Sequence, residues 1–332
     1  MPLDRRHLLG TALGSGLFYS TASAQGSSPS SLQPRIEDER LRALLRPDAR
    51  LLVLAEGLKW AEGPVWVPGQ GLVFSDVRAD AEMLWQPSGV RVRRSPAAHS
   101  NGHALTPDGR VVLAEHGTRC ISRTEADGSN RAVLVERYEG KRLNSPNDLT
   151  VKRDGTIWFT DPVYGLTQVE ESYGNALELA HSYVYRFDPV TEALEVVSGD
   201  FIQPNGIAFS PDESVLYVSE SAGGDGPGPL GVFAHTVGSD GKLRDRRFLF
   251  KAEHGMVDGF RVDRDGNLWC SSGVGIEVRA PDGKRLGLIP VGEGKQGLVG
   301  NLAFGGEDGS RLFICASTRL LALDTATRGA AG

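Results

Sequence analysis

The sequence repeats one short unit six times. In each unit a polar residue opens an apolar strand, a tight turn rich in Asp and Gly follows, and a second apolar strand runs back. The opening residues are Glu62, Asn101, Asn147, Asn205, Asp258 and Asn301. In every copy 12 or 13 residues separate the opening residue from a matched apolar position in the second strand. Such a constant register predicts one supersecondary unit used six times.

The matched apolar positions recur at steps of 39 to 59 residues. They are Phe74, Leu113, Phe159, Val218, Cys270 and Ile314. Units of about 40–50 residues built from strands are typical of propeller blades, whereas helical solenoids repeat helices. The pattern therefore predicts an all-β fold, a six-bladed β-propeller over residues 51–332, in place of two separate domains.

The amino terminus has the pattern of an export signal. Arg5 and Arg6 precede a weakly apolar run that ends in Ala22-Ser23-Ala24, a small-residue cleavage site. Paired arginines favour the twin-arginine type of signal, and an ordinary secretory signal is the alternative. We expect residues 1–24 to be removed, the mature protein to be periplasmic or secreted, and no stable membrane anchor. Residues 25–50 are predicted to form a linker and a short helix before Pro47.

Charge and cysteine content exclude several classes of protein. The net charge is −6, from 36 basic and 42 acidic residues, and gives no basic surface for nucleic acid. Cys120, Cys270 and Cys315 lack paired spacing, and buried free thiols are the expected state.

The repeat also predicts a site. The first strand of each propeller blade lines the central channel, so the six opening residues are expected to form a ring at one level of the axis. The second strand returns to the same face, which brings His116, Asp161, Tyr164 and Glu220 close to that ring. Two carboxylates and four amides form a set of oxygen ligands that suits Ca²⁺. Because His103 lies two residues after Asn101, a transition metal remains an alternative ion. The alternative to metal binding is a structural role, in which Asn and Asp side chains cap the strand ends.

Several segments resemble the gluconolactonase/regucalcin family over nearly the whole chain after the linker. The matching segments are EGPVW from Glu62, HSNGH from His99, KRLNSPNDL from Lys141, IWFTDPVYG from Ile157, SYVYRFDP from Ser182, QPNGIAFSPDE from Gln203, DGFRVDRDGNLW from Asp258 and RLFICAST from Arg311. The resemblance implies a six-bladed propeller with one divalent cation on its axis, and hydrolysis of sugar lactones or related esters.

The same resemblance implies roles for individual residues. By position, Glu62, Asn147, Asn205 and Asp258 match the family's metal-binding residues, and Asp258 matches the residue given a catalytic role. Some members use the position of Asn147 mainly to contact substrate. The segment Leu166 to His181 resembles the lid-like insert near the family's pocket.

A lactone is a cyclic ester, so its hydrolysis needs a polarised carbonyl, an activated water and a place for the oxyanion. We expect Asp258 to act as general base. The substrate-binding set is predicted to be Asn101, His103, His116, Asp161 and Tyr164. His116 is also a candidate second base or a packing residue.

The cofactor is predicted to be Ca²⁺, with Zn²⁺ or Mg²⁺ as alternatives, and the partner a small sugar lactone. A phosphotriesterase-like hydrolase is the second enzymatic hypothesis. A propeller that binds a ligand without catalysis is the third. A quinoprotein sugar dehydrogenase is a weaker rival, because no cluster of basic residues would hold an acidic quinone.

Overall fold

Six antiparallel sheets surround a central channel in the computed structural model, which describes residues 30–31, 33–174, 176–222 and 230–330. Blade 1 contains β4 (Ala61–Val67), β5 (Gly71–Asp76), β6 (Ala81–Gln86) and β7 (Gly89–Arg94). Blade 2 contains β8 (Ser100–Leu105), β9 (Val111–Glu115), β10 (Cys120–Thr124) and β11 (Ala132–Val135). Blade 3 contains β14 (Leu149–Val151), β15 (Ile157–Asp161), β16 (Tyr183–Asp188) and β17 (Ala193–Ser198).

The remaining three blades follow in chain order. Blade 4 contains β18 (Pro204–Phe209), β19 (Val215–Glu220), β20 (Gly231–Val237) and β21 (Leu243–Phe250). Blade 5 contains β22 (Phe260–Val262), β23 (Leu268–Ser272), β24 (Gly275–Arg279) and β25 (Arg285–Pro290), with β2 (Arg35–Ile36) added at its outer edge. Blade 6 contains β26 (Asn301–Gly305), β27 (Arg311–Ala316), β28 (Arg319–Asp324), β3 (Arg50–Glu56) and β1 (Ser30–Ser31). A separate ribbon pairs β12 (Arg137–Tyr138) with β13 (Lys141–Arg142).

The first strands of the blades form the wall of the channel. Each contacts the first strand of the next blade, and β26 of blade 6 contacts β4 of blade 1, so the ring is closed. The predicted six-bladed propeller is confirmed. The closure itself is not visible in the repeat: β3 comes from the start of the chain and pairs antiparallel with β28, which ties the two ends together.

Six apolar clusters lie between neighbouring blades. Each cluster takes side chains from two adjacent sheets, for example Phe159 and Val112 between blades 2 and 3. The six matched positions of the repeat are all fully buried in the structure, Phe74 and Ile314 among them. The apolar positions that define the repeat therefore hold adjacent blades together.

The predicted short helix is present as α1 (Glu39–Leu44), whose amino terminus is capped by the Asp38 side chain accepting from the backbone of Arg40. Leu41 and Leu44 are buried against blades 5 and 6. A second helix, α2 (Tyr164–Thr167), and 3₁₀ turns at Val77–Ala79, Val169–Glu171 and Gly294–Gly297 complete the elements.

The three cysteines are free and buried, as expected. Within the described ranges no helix has the length and hydropathy needed to cross a membrane. The predicted signal segment, residues 1–24, lies outside the described residues.

Candidate active site

Irregular pairing at the start of the first strands turns polar side chains toward the axis. The strand register shifts between Glu62 and Val65 in blade 1, between Ser100 and His103 in blade 2, and between Pro204 and Ile207 in blade 4. In blades 3 and 5 the opening residue, Asn147 or Asp258, stands just before the first paired residue. Released from the sheet ladder, these residues can point into the channel.

Small residues beside the opening residues let neighbouring blades approach closely. Gly63 has φ +48°, and a Cβ there would stand 1.9 Å from the carbonyl oxygen of Asn101. Gly206 donates its backbone N–H to the carbonyl oxygen of Asp258 at 3.0 Å, and Gly102 donates to that of Asn147 at 2.8 Å. Asn147 and Asp258 are thus each held by a backbone hydrogen bond from a glycine of the preceding blade.

A cavity of about 240 Å³ opens at this end of the channel. Its lining includes the side chains of five predicted ring residues and of the first residue of α2: Glu62, Asn101, Asn147, Asn205, Asp258 and Tyr164. The structure therefore brings together all four predicted metal ligands, together with Asn101 and Tyr164 of the predicted substrate-binding set.

Blade 6 departs from the predicted ring. Asn301 is paired in the sheet with Cys315, and its Nδ2 donates to Asp148 Oδ2 at 3.3 Å, away from the pocket lining. The ring position is taken by Gly300, whose carbonyl oxygen accepts from Gly259 N at 2.7 Å, just as the carbonyls of other ring residues do. A Cβ on Gly300 would stand 2.2 Å from Glu62 Oε1, so the glycine makes room for that carboxylate.

The two ring carboxylates lie in a strongly desolvated site. Burial is the main cause that raises the pKa of Asp258 to about 7, with further contributions from the charges of Asp148 and Glu171, while a hydrogen bond from Asn205 opposes the shift. Burial, followed by the charge of Asp258, raises the pKa of Glu62 well above its usual range. Two buried carboxylates that repel each other need a compensating positive charge to be ionised together.

A third buried carboxylate lies deeper in the channel and is paired. Asp148 Oδ2 accepts from Arg261 Nη1 at 3.1 Å and from Asn301 Nδ2 at 3.3 Å. This polar layer separates the pocket from a second cavity of about 190 Å³ at the opposite end, whose lining includes Arg261 and His103. The repeat gave no indication of Asp148, which stands where most other units have glycine.

Of the other predicted substrate-binding residues, His103 and Asp161 lie outside the pocket lining. His103 Nδ1 is 2.7 Å from the carbonyl oxygen of Gly63, and the ring lines the opposite cavity. Asp161 Oδ2 accepts from Asn144 N at 2.8 Å, and burial raises the pKa of Asp161 to about 7. Glu220, which the register placed near the ring, accepts from three backbone N–H groups, those of Ile202 and Gln203 before β18 and that of Ala222 after β19.

His116 lies directly behind the ring. Its buried imidazole Nε2 is 3.4 Å from Asn101 Nδ2 and 3.4 Å from Asn147 Nδ2. Its Nδ1 is 3.5 Å from Oε2 of Glu171. Burial raises the pKa of Glu171, but contacts with His116 and Arg78 outweigh it and hold that pKa below the usual value.

The insert after β15 forms one wall of the pocket, where the family resemblance expected a lid-like segment. Tyr164 and Glu171 come from it, and the Tyr164 hydroxyl is buried without a hydrogen-bond partner among the described residues. Burial and the nearby charge of Asp258 raise the pKa of this phenol, so it stays protonated. Arg78 of blade 1 holds the insert through Glu171 Oε1 at 3.0 Å and Gln168 Oε1 at 3.2 Å.

Sequence reasoning missed most of the pocket rim. Trp60, Arg78, Met256 and Leu298 line the mouth from loops outside the repeated strands. Arg78 lies over the ring of Trp60, 4.6 Å from its centroid. These residues lie in loops, which are not part of the repeat, so the repeat does not predict them. Only the lid-like insert expected from the family resemblance predicted any part of the rim.

The profile of the SMP-30/Gluconolactonase/LRE-like region matches residues 60–318. The chain belongs to this family. A gluconolactonase of Zymomonas mobilis is 38% identical over 313 residues, covering 87% of this chain and 85% of that protein. A 6-deoxy-6-sulfogluconolactonase of Pseudomonas putida is 32% identical, over 77% of this chain and 82% of its own.

A solved structure of the same family has the same fold. The gluconolactonase XC5397 of Xanthomonas campestris is 41% identical and superposes with a TM-score of 0.83, covering 92% of this chain and all of that one. The family resemblance stated from the sequence motifs is therefore confirmed.

The donor set of the ring consists of carboxylates and amides. Among the described residues, no group of three or more His, Cys, Asp or Glu side chains is arranged to hold a metal ion. The ring has only two such side chains, Glu62 and Asp258, and its other donors are amides. Carboxylate and amide oxygens are the donors that a hard cation such as Ca²⁺ prefers, whereas zinc more often takes Cys and His.

Proposed function

We propose that this protein hydrolyses a sugar lactone at the pocket formed by the ring, with one divalent cation as cofactor. The observation that carries the proposal is the pair of mutually repelling carboxylates, buried Glu62 and half-buried Asp258, that face one small pocket with amide side chains between them. Relatives named as gluconolactonases, at 38% and 41% identity, support lactones as the substrate class.

Glu62, Asn147, Asn205 and Asp258 would hold the cation. Their donor atoms are two carboxylates and two amides on the pocket wall; Glu62, Asn147 and Asn205 are buried and Asp258 is half-buried. When bound, a divalent cation compensates the two negative charges and polarises the carbonyl oxygen of the lactone. Ca²⁺ is the proposed ion because the set is made of oxygen ligands, with Mg²⁺ and Zn²⁺ as the alternatives to test.

Asp258 is proposed as the general base. Hydrolysis adds water to the lactone carbonyl and breaks the ring C–O bond, giving one hydroxy acid. A carboxylate oxygen of Asp258 accepts the proton of the attacking water, and that proton passes to the departing ring oxygen. The general-base role rests on the place of Asp258, whose carboxylate lies on the wall of the pocket that would hold the lactone.

The remaining pocket side chains would orient the substrate. The Tyr164 hydroxyl lies buried on the pocket wall and keeps its proton, because burial and the charge of Asp258 raise its pKa, so it can donate to a substrate oxygen. The Asn101 amide lies on the same wall, and the Trp60 indole offers a flat apolar surface at the mouth. We do not give His103 or Asp161 a direct contact with substrate, because both side chains bond to protein groups outside the pocket lining.

The decisive test is a titration of released acid on a panel of sugar lactones that includes glucono-1,5-lactone. We expect turnover by the metal-loaded protein, loss of turnover after chelation, and recovery on adding Ca²⁺. The panel should include a phosphotriester, since faster cleavage of that ester would favour the phosphotriesterase hypothesis. Calorimetric binding of a lactone without acid release would favour a non-enzymatic propeller.

We further propose that the enzyme works in the periplasm or outside the cell, on the support of the Arg5-Arg6 signal pattern. Amino-terminal sequencing of the exported protein is expected to begin at Gln25. Replacing Arg5→Lys and Arg6→Lys together is expected to retain the precursor in the cytoplasm if the signal is of the twin-arginine type. Unchanged export of that variant would favour the ordinary secretory route.

A further inference from the structure

His116 stands between the ring and the insert, and each of its ring nitrogens faces a different kind of group. Nε2 faces two amide nitrogens, Asn101 Nδ2 and Asn147 Nδ2, each at 3.4 Å. Nδ1 faces a carboxylate oxygen, Glu171 Oε2, at 3.5 Å. The imidazole is fully buried, so neither nitrogen is left for solvent.

A neutral imidazole has one donor nitrogen and one acceptor nitrogen. Two amide NH₂ groups can share Nε2 only if that nitrogen carries no proton. The proton then lies on Nδ1, where it points at the carboxylate of Glu171. The three contacts are long, as is common in sites without substrate. In each of them, however, the Nδ1–H tautomer places a donor opposite an acceptor.

The position of this one proton decides which end of each amide is available to the pocket. With Nε2 as acceptor, Nδ2 of Asn101 and of Asn147 turns toward His116, and Oδ1 of each is left for the pocket. With the proton on Nε2, each amide would have to offer its oxygen to the imidazole. Its NH₂ would then face the pocket, and an NH₂ group cannot bind a cation.

Glu171 is itself held in place by a separate contact. Its Oε1 accepts from Arg78 Nε of blade 1 at 3.0 Å, while Oε2 is the atom nearest His116 Nδ1. The side chain is 4% exposed although the insert that carries it lies at the surface. Helix α2 also packs on the imidazole, since a Cβ on Gly165 would stand 2.6 Å from His116 Cβ.

We propose that Glu171 and His116 are positioning residues: Glu171 fixes the Nδ1–H tautomer of His116, and His116 turns the amide oxygens of Asn101 and Asn147 into the pocket. The role of those oxygens in cation binding rests on the proposed function, whereas the tautomer does not. Glu171 thereby links the insert to the ring, and His116 acts through the two amides without touching substrate.

The tautomer is tested directly by two-bond ¹H–¹⁵N correlation spectra of ¹⁵N-histidine-labelled protein without cation. The His116 signals are assigned by their loss in His116→Asn. We expect a protonated Nδ1 and an unprotonated Nε2 in the wild type and in Glu171→Gln, whose side-chain oxygen can still accept. In Glu171→Leu the Nε2–H form should become populated.

Glu170→Gln is the matched control, because Glu170 is the neighbouring residue of the same insert and its side chain is 74% exposed. It removes the same charge and is expected to leave the His116 spectrum unchanged. A wild-type His116 protonated on Nε2, or equal changes in Glu170→Gln and Glu171→Leu, would overturn the proposal.

The effect on the ring is tested by calorimetric titration of the full-length protein with Ca²⁺. The amide of His116→Gln can place an acceptor near the position of Nε2, whereas that of His116→Asn reaches only the position of Nδ1. We expect affinity to fall about tenfold or more in His116→Asn and to stay within about threefold of wild type in His116→Gln. Circular dichroism confirms that each variant is folded.

Equal losses of Ca²⁺ affinity in the two folded variants would overturn the role of His116. If the wild-type protein bound no divalent cation, the cofactor assignment of the proposed function would fail. The spectra would still decide whether Glu171 sets the tautomer, so failure of the function and failure of this inference can be distinguished.

Discussion

The two ends of the channel are built from the same six strands, yet their chemistry differs. Their cavities are similar in size, about 240 Å³ at the ring end and about 190 Å³ at the other. At the ring end Glu62 is buried and Asp258 is half-buried, and no basic side chain is among the main influences on their pKa. At the other end Arg261 is paired with Asp148, and Glu213 accepts from a backbone N–H.

The end proposed as the active site therefore differs from the other end in its uncompensated charge and not in the volume of its cavity. Buried charges are expensive unless they are paired or bind a cation. At the opposite end the charged side chains of Arg261 and Glu213 have partners within the protein. Charge changes at the two ends should therefore differ in their effects on activity and stability.

The largest effect is expected from Asp258→Asn. The amide keeps an oxygen in the ring but cannot accept the proton of water, so kcat/KM for lactone hydrolysis should fall about 10²- to 10⁴-fold with the fold intact. Initial rates of acid release measure it. The matched control is Glu213→Gln in the lining of the opposite cavity, which should stay within about twofold of wild type. Similar losses in both variants would remove the distinction between the two ends.

Next in size is the loss of the ion pair between the two cavities. Arg261→Met leaves Asp148 buried without its cationic partner, so the free energy of unfolding in urea should fall by about 2–4 kcal/mol. Because Arg261 is partly exposed, the loss should be smaller than that of a fully buried pair. Adding Asp148→Leu removes the unpaired charge and should recover most of the loss. If Arg261→Met alone unfolds at the wild-type urea concentration, the pair does not stabilise the channel.

A bound cation should stabilise the ring end. At a Ca²⁺ concentration about 100 times Kd, the free energy of unfolding should rise by about 2.7 kcal/mol, measured as an increase in Tm. Glu62→Gln removes one of the two ring carboxylates and should show a smaller increase at the same concentration. An identical increase in Glu62→Gln would mean that the ion binds elsewhere.

The last prediction concerns pH. Burial raises the pKa of Asp161 to about 7 from an ordinary value of 3.8. Between these pH values the folded protein holds more protons than the unfolded chain, so this residue stabilises the fold less as pH rises, by at most about 1.4 kcal/mol per pH unit. Asp161→Asn keeps an acceptor for Asn144 N and removes the titration.

Urea unfolding of wild type and Asp161→Asn from pH 5 to pH 8 checks this prediction. The stability of the variant relative to wild type should increase with pH across that range. Parallel stability profiles would show that Asp161 is ionised throughout in the folded protein.

Much of the fold could be predicted from the sequence because each blade repeats the same local chemistry. The apolar alternation, the Asp-Gly turns and the constant register specify six similar sheets, and the buried positions such as Phe74 and Phe159 agree with that prediction. The prediction failed in blade 6, where Gly300 and not Asn301 takes the ring position. A shift of one residue reverses the direction of a strand's side chains, and the sequence pattern tolerates it.

The sequence by itself determined the propeller, the residues that open its first strands and the family to which the chain belongs. Only the tertiary structure decided that Asp148 pairs with Arg261 across the channel, that Gly300 makes room for Glu62, and that Glu171 reaches His116 from the insert. Repeats report contacts that recur within each blade, over a few tens of residues. Contacts between different blades and loops occur once each, so they leave no periodic signal in the sequence.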